Sequence, residues 1–214
     1  MLDRLVPGEV SKAIRSAVAL PMVFIRHGET DWNAALRLQG QTDIPLNDKG
    51  RGQARRNGQT LKTHLEDRGI APSAFRFFAS PMARARETMQ IVAGELGIDP
   101  AAISYDDRLK EITFGTWEGF SMAEIETTRP QEFEPRRADP FNHRPPGGES
   151  YADLMARTAH WLAAIDGPAV IVSHGAVSRV FRAILQRIPV EELMELSVPQ
   201  KRFFAWDGQE GRWI

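Results

Sequence analysis

Two histidines stand in the same local setting. His27 follows Arg26 and precedes Gly28; His174 follows Ser173 and precedes Gly175. Each ends a short apolar run, Met22-Val-Phe-Ile before the first and Ala169-Val-Ile-Val before the second. A third run, Phe75-Arg-Phe-Phe-Ala, stops at Ser80-Pro81, with Arg84 one turn later. In open parallel α/β sheets, ligands sit beyond the carboxyl ends of the strands. If the three runs are neighbouring strands, two imidazoles and two guanidiniums meet at one end of the sheet. Helix N-termini aimed at the same place favour an anion. The expectation is an anion-binding crevice with two histidines, where the glycine after each lets the backbone approach a ligand closely. A single His at a strand end is usually a hydrogen-bonded structural residue. Two of them, each followed by Gly and joined by Arg, weigh toward function. Arg86, more than Arg84, suits a helix-surface ion pair with Glu87.

The elements that must position these residues follow from periodicity. β-Branched and aromatic content marks the three runs as strands. Met82, Ala85, Met89, Val92 and Leu96 repeat every three or four residues, giving one apolar helix face toward a sheet. Pro81 suits the first turn of that helix. Ala54, Gly58, Leu61 and Leu65 form a second face. Tyr151, Leu154, Thr158, Trp161 and Ile165 form a third, opened by Glu149-Ser150. Strands alternating with helices predict an α/β sandwich with a mainly parallel sheet. Residues 120–148 carry Pro130, Pro135, Pro140, Pro145 and Pro146 and little periodicity, so they read as a long insertion or lid. Arg202–Trp206 and Arg212–Ile214 read as a closing hairpin around Asp207-Gly208. Residues 1–19 hold charges that break up any signal-peptide core. They read as a short amphipathic helix or loose arm ahead of one domain spanning 20–214.

At 214 residues, 42 % of them hydrophobic, the chain fits one globular domain. No apolar run approaches the roughly 20 residues needed to span a bilayer. There is no cysteine, which excludes disulfides, thiolate metal sites and cysteine nucleophiles and fits a reducing cytoplasm. Lys plus Arg is 27 and Asp plus Glu is 28, a formal charge of −1. That balance gives no bulk drive toward nucleic acid or anionic lipid, so anion recognition must come from local clusters. No Gly-x-x-x-x-Gly-Lys-Ser/Thr and no Gly-x-Ser-x-Gly occurs, which disfavours a P-loop kinase and a serine hydrolase.

Arg26-His27-Gly28-Glu29-Thr30, with Trp32-Asn33 after it, resembles the signature of the histidine phosphatase superfamily, in its phosphoglycerate-mutase-like branch. Further blocks follow in the family's order. They are Gly40 with Asp43-Ile-Pro45-Leu46 and Gly50; Ser80-Pro-Met-Ala-Arg84-Ala85 with Thr88; and Leu109-Lys-Glu111 with Phe114-Gly115 and Trp117-Glu118-Gly119. Pro146-Gly-Gly-Glu-Ser150 and Ser173-His174-Gly175 complete the set. The resemblance implies a three-layer α/β/α sandwich with an inserted lid. It also implies roles. His27 is the nucleophile that becomes a phosphohistidine, an imidazole being unprotonated near neutral pH. Its second ring nitrogen must donate to an acceptor that the sequence does not identify. Arg26, Arg84 and His174 clamp the phosphoryl oxygens, supplying the positioning and charge neutralisation that phosphoryl transfer needs. Asn33, Gln39, Gly40 and Gly175 contact substrate; for Asn33 a helix cap is an equal alternative. Glu111 is the acid that protonates the leaving alkoxide and then the base that activates water. Without the resemblance, Glu111 reads as a surface partner of Lys110 or Arg108. Glu29 has at most a supporting role, and His64, His143 and His160 match no motif. No metal and no cofactor is implied.

The same resemblance separates a phosphatase from a mutase. The related mutases carry Glu-Arg-His-Tyr-Gly around the acid, where this chain has Glu111-Ile-Thr-Phe-Gly115. The Arg and Tyr that hold a substrate carboxylate are missing. Phe114-Gly-Thr-Trp-Glu-Gly119 looks more like the bacterial phosphatases. Arg136-Arg137 points the other way, since mutases have paired arginines at a similar distance after the acid; a solvated loop charge is the plainer reading. The expectation is a metal-independent phosphomonoesterase acting on small phosphorylated metabolites. A mutase is the alternative, and a non-catalytic phospholigand-binding module ranks below it. Arg136, Arg137, His143 and Arg144 in the lid suggest acidic or multiply phosphorylated substrates. A cytoplasmic location is expected, with no nucleic acid or membrane partner. The oligomeric state is open, a homodimer being one option.

Overall fold

Alternate residues of the central strands face opposite ways, and each face is apolar. In β1 (Met22–Arg26), Met22 and Phe24 join one buried cluster while Val23 and Ile25 join another. In β4 (Ala169–Ser173), Ala169 and Ile171 point to the first cluster and Val170 and Val172 to the second. A strand apolar on both sides needs cover on both sides, and helices supply it. The computed structural model describes the backbone of residues 8–214 and side chains from residue 12 onward.

One face is covered by α3 (Asp48–Glu66) and α4 (Ala83–Glu95), through Leu61, Leu65, Met89 and Val92. The other is covered by α7 (Tyr151–Leu162) and α8 (Gly175–Gln186), through Leu154, Trp161, Val177 and Phe181. The six-stranded sheet runs β3-β2-β4-β1-β5-β6, with β2 at Arg76–Ala79, β3 at Ile103–Tyr105, β5 at Phe204–Trp206 and β6 at Gly211–Trp213. The first four strands are mutually parallel, and the last two form the antiparallel closing hairpin expected from the sequence. The three-layer α/β/α sandwich is therefore the fold. All three strands inferred from apolar runs are neighbours, with β4 between β2 and β1.

Two regions carry helices that composition alone left open. Residues 120–148, read from sequence as an insertion or lid, contain α5 (Met122–Thr128) and α6 (Pro130–Ala138). Both start on local signals. Ser121 and Glu124 form a reciprocal capping box, and Pro130 occupies the first turn of α6. Ahead of the sheet, α1 (Gly8–Val18) buries Ile14 and Ala17 in the first cluster. Trp206 Nε1 donates to the Val18 carbonyl at 2.6 Å. The segment read as an amphipathic helix or arm is, over its described part, a docked helix; the expectation for residues 1–7 lies outside the described residues. The short α2 (Asp31–Ala34) follows β1.

Candidate active site

The β1–β4 register pairs Met22 with Ala169 and ends at Arg26 with Ser173. The next residues, His27 and His174, must then emerge side by side. The ladder continues one step, His27 N–H donating to Ser173 O at 2.9 Å. The two rings lie 5.0 Å apart, centroid to centroid, edge to face. Across β4, Ser80 N–H donates to Val172 O at 3.0 Å, so the end of β2 arrives at the same level.

The hydrogen bonds sort the ring nitrogens. His27 Nδ1 donates to the Gly28 carbonyl at 2.7 Å, which leaves Nε2 as the unprotonated nitrogen. This is the acceptor that the sequence did not identify. His174 Nε2 is 2.8 Å from Ser80 Oγ, and its Nδ1 is buried with no partner among the described residues. Both rings are held well below the usual histidine pKa, first by burial and then by the Arg84 charge. Both are neutral at pH 7.

The guanidiniums are anchored by backbone carbonyls rather than carboxylates. Arg84, fully buried, donates to Thr42 O at 2.9 Å and to Gly40 O at 2.7 Å. Arg26 donates to Val198 O at 2.9 Å. The Nε of each is buried and has no partner among the described residues. Carbonyls satisfy part of each fork without neutralising its charge, so the site stays electropositive and fit for an anion. These groups border a cavity of about 200 Å³. Asn33, Gln39, Gly40, Glu111 and Gly175 border it too. His174 stands behind His27 rather than on the cavity wall.

The family model of the histidine phosphatase superfamily (branch 1) matches residues 22–214, from the first residue of β1 to the end of the chain. The chain belongs to the histidine phosphatase superfamily. A probable phosphoglycerate mutase GpmB of Erwinia tasmaniensis is 30 % identical over 203 residues, covering 91 % of this chain and 88 % of that protein. The glucosyl-3-phosphoglycerate phosphatase of Mycobacterium tuberculosis is 28 % identical, over 90 % of this chain and 86 % of its own. A solved structure of mycobacterial glucosyl-3-phosphoglycerate phosphatase complexed with VO3 superposes with a TM-score of 0.71 at 28 % identity. It covers 92 % of this chain and 97 % of that one.

Several residues of this superfamily member that the sequence did not single out shape the site. Arg157 donates to the Glu111 carbonyl at 2.9 Å while paired with Glu149 at 2.9 Å, and so fixes the backbone that carries Glu111. Glu118 accepts from Gln41 N, Thr42 N, Thr42 Oγ1, Thr113 Oγ1 and Phe114 N. It ties the loop that anchors Arg84 to the loop that follows Glu111. Arg179, from α8, borders the cavity beside Glu111. The signal for Arg157 and Arg179 was their place on helices next to family blocks; alone it is weak.

The alternatives weighed from sequence also resolve. Glu111 does not pair with its neighbours: Arg108 pairs with Asp106 and Lys110 with Asp107. Its carboxylate instead accepts its adjoining Ile112 N–H at 3.1 Å and lies 3.4 Å from Ala176 N. Arg86 does not pair with Glu87; it lies over the Tyr105 ring, and Glu87 binds Arg51. Glu29 is turned away toward Lys49 and Asn47. His64 contacts Arg68, His143 stacks on Trp117, and His160 is exposed.

Proposed function

We propose that the chain is a metal-independent phosphomonoesterase of small phosphorylated metabolites, working through a phosphohistidine on His27. One observation carries this reading. His27 Nε2 is the free nitrogen of a neutral ring, held by the Gly28 carbonyl at a cavity where the Arg26 and Arg84 guanidiniums have, among the described residues, backbone carbonyls as their hydrogen-bond partners. His27 Nε2 attacks phosphorus; the N–P bond forms and the ester P–O bond breaks. Glu111, beside the cavity, gives its proton to the leaving oxygen. It then takes one from water as the water oxygen bonds to phosphorus and the N–P bond breaks. Arg26 and Arg84 carry the phosphoryl charge throughout, with Asn33, Gln39, Gly40 and Gly175 completing the contacts, while His174, expected from the resemblance to join the clamp, packs behind the His27 ring 5.0 Å away. The net reaction is ester plus water to alcohol plus phosphate, and His27 and Glu111 return to their starting states.

The acid-bearing loop Glu111-Ile-Thr-Phe-Gly115 supports hydrolysis over mutase chemistry, because it lacks the Arg and Tyr for a substrate carboxylate. The cytoplasmic setting belongs to this proposal, supported by the cysteine-free composition; among the described residues no helix is long and apolar enough to cross a membrane. The single domain at 20–214 and the lid role of 120–148 are also part of it. The test is a panel of phosphate esters assayed with EDTA, for wild type and His27→Ala. Wild type should release phosphate, and alkali-quenched protein should carry label from the donor; His27→Ala should do neither. Adding 3-phosphoglycerate with 2,3-bisphosphoglycerate to the panel separates isomerisation from hydrolysis. Equal activity in the two proteins sinks the proposal.

A further inference from the structure

Asn33 and Gln39 both border the cavity. An amide side chain there can offer an anion either its N–H₂ or its carbonyl, and only the first attracts. What sets the choice is a third residue that does not border the cavity at all. Thr30 is fully buried and caps α2. Its backbone N–H can only donate, and it donates to Asn33 Oδ1 at 3.3 Å. Gln200 Nε2, which also donates to the His27 carbonyl, reaches the same oxygen at 3.1 Å. The Asn33 carbonyl end is thereby used twice, and Nδ2 is left facing away from both donors.

The hydroxyl of Thr30 fixes the second amide. Asn33 N–H donates to Thr30 Oγ1 at 3.1 Å, which uses a lone pair. The single hydroxyl hydrogen then goes to Gln39 Oε1, 2.9 Å away. A flipped Gln39 would strip that hydrogen of its acceptor in a fully buried position, which is unfavourable. Neither Asn33 Nδ2 nor Gln39 Nε2 has a protein partner among the described residues. We propose that Thr30 is a positioning residue that orients both amides, so that Asn33 and Gln39 present N–H donors to the phosphoryl group. The inference rests on the phosphatase reading of this cavity, but its own content is the sense of two amides.

The test uses orthovanadate as the phosphoryl mimic and the full chain as it exists. Vanadate binding is measured by calorimetry, and kcat and KM by hydrolysis of an aryl phosphate, for Thr30→Val, Thr30→Ser, Gln39→Leu and Thr30→Val/Gln39→Leu. Thr30→Val should weaken vanadate binding about ten- to hundredfold, the loss attached to hydrogen bonds with a charged partner. Thr30→Ser, which keeps the hydroxyl, should recover most of that loss. In the Gln39→Leu background, Thr30→Val should cost a much smaller factor, because one of the two amides it orients is gone. An equal factor in both backgrounds, or wild-type binding by Thr30→Val, overturns the proposal. If Thr30→Val fails to fold, the wild type decides by amide NMR: the side-chain N–H₂ signals of Asn33 and Gln39 should shift when vanadate binds, and signals that stay unmoved overturn the proposal. A wild type that binds vanadate but hydrolyses no ester removes the phosphatase reading and leaves these comparisons intact. A wild type that does neither removes both.

Discussion

His27 has two ring nitrogens, and the backbone has already taken one. With Nδ1 donating to the Gly28 carbonyl at 2.7 Å, the lone pair open to phosphorus sits on Nε2. The trapped phosphoenzyme should therefore carry phosphorus on Nε2. In denatured labelled protein that isomer shows phosphorus coupling to both carbon-bound ring protons, whereas an Nδ1 adduct couples to one. A single coupling would mean that the ring turns over before it reacts. At this scale the sequence was informative about charge and poor about direction. Arg26, Arg84 and the two His-Gly pairs were legible because their residue types and strand-end spacing survive in one dimension. The tautomer was not, because its determinant is a peptide carbonyl that every residue possesses. Ser80 was legible as the stop of a strand run, and Thr30 as a family position only. Their partners, His174 Nε2 and Gln39 Oε1, come from elsewhere in the fold, and a hydroxyl announces neither.

Elements show the same division. Strands β1, β2 and β4 were readable because both faces had to be apolar, leaving continuous runs. α3, α4 and α7 were readable from their apolar stripes. α8 has no clean stripe, because Ala176, Val177, Val180, Phe181, Ala183, Ile184 and Leu185 are all buried and the helix is apolar nearly all round. The helices at 122–138 failed for the opposite reason: α6 buries nothing fully and starts on Pro130, and α5 is marked by its Ser121–Glu124 capping box rather than by a stripe. This matters for the four basic lid residues, which the sequence treated alike. Arg137 is committed to Glu126 and Glu134, and Arg144 to Asp153. His143 stacks on Trp117. Arg136, half-buried, is instead within electrostatic reach of Tyr151 and Arg179, and Arg179 borders the cavity. Arg136 alone of the four has no ion-pair or stacking partner among the described residues, and although it does not line the cavity we propose that it meets an acidic leaving group. Arg136→Ala should raise KM for esters carrying a second anionic group by about tenfold or more, the size of a lost charge-assisted hydrogen bond. It should leave a neutral aryl phosphate unchanged. Arg137→Ala should change neither by more than about twofold, since exposed pairs contribute little. Equal effects of the two substitutions on anionic esters would place the determinant outside the lid.

The whole molecule gathers what the chain keeps far apart, and the gathering has a thermodynamic consequence. Residues 27, 84 and 174 meet only because β4 lies between β1 and β2, an order that local patterns do not encode. The outcome is two neutral imidazoles buried beside two guanidiniums that, among the described residues, hydrogen-bond to backbone carbonyls and to no carboxylate. Burial first, and the Arg84 charge second, hold both rings well below the ordinary value of 6.5. In the unfolded chain each ring titrates normally. As pH falls through 6.5, the unfolded state takes up protons that the folded state refuses, so the unfolded state gains stability. This contribution is fully present above pH 6.5 and is lost below it, until the folded rings themselves protonate. Each ring costs about 1.4 kcal/mol per pH unit in that window, and two cost twice as much. A typical domain has only about 5–15 kcal/mol in total. His64 and His143 are also lowered by burial and add in the same direction, more weakly because they are less enclosed. The carboxylates that the fold lowers, such as Asp106 and Asp153, begin to act only near their unfolded values around 4, so the histidine window is separate. Urea midpoints should therefore fall steeply with acid from pH 6.5 toward the carboxylate range. His174→Asn, which cannot titrate, should flatten that slope by about one ring's share, whatever its effect on activity. Identical slopes for the two proteins would show that the rings are not held neutral by the fold, and that protons reach them as readily as in water.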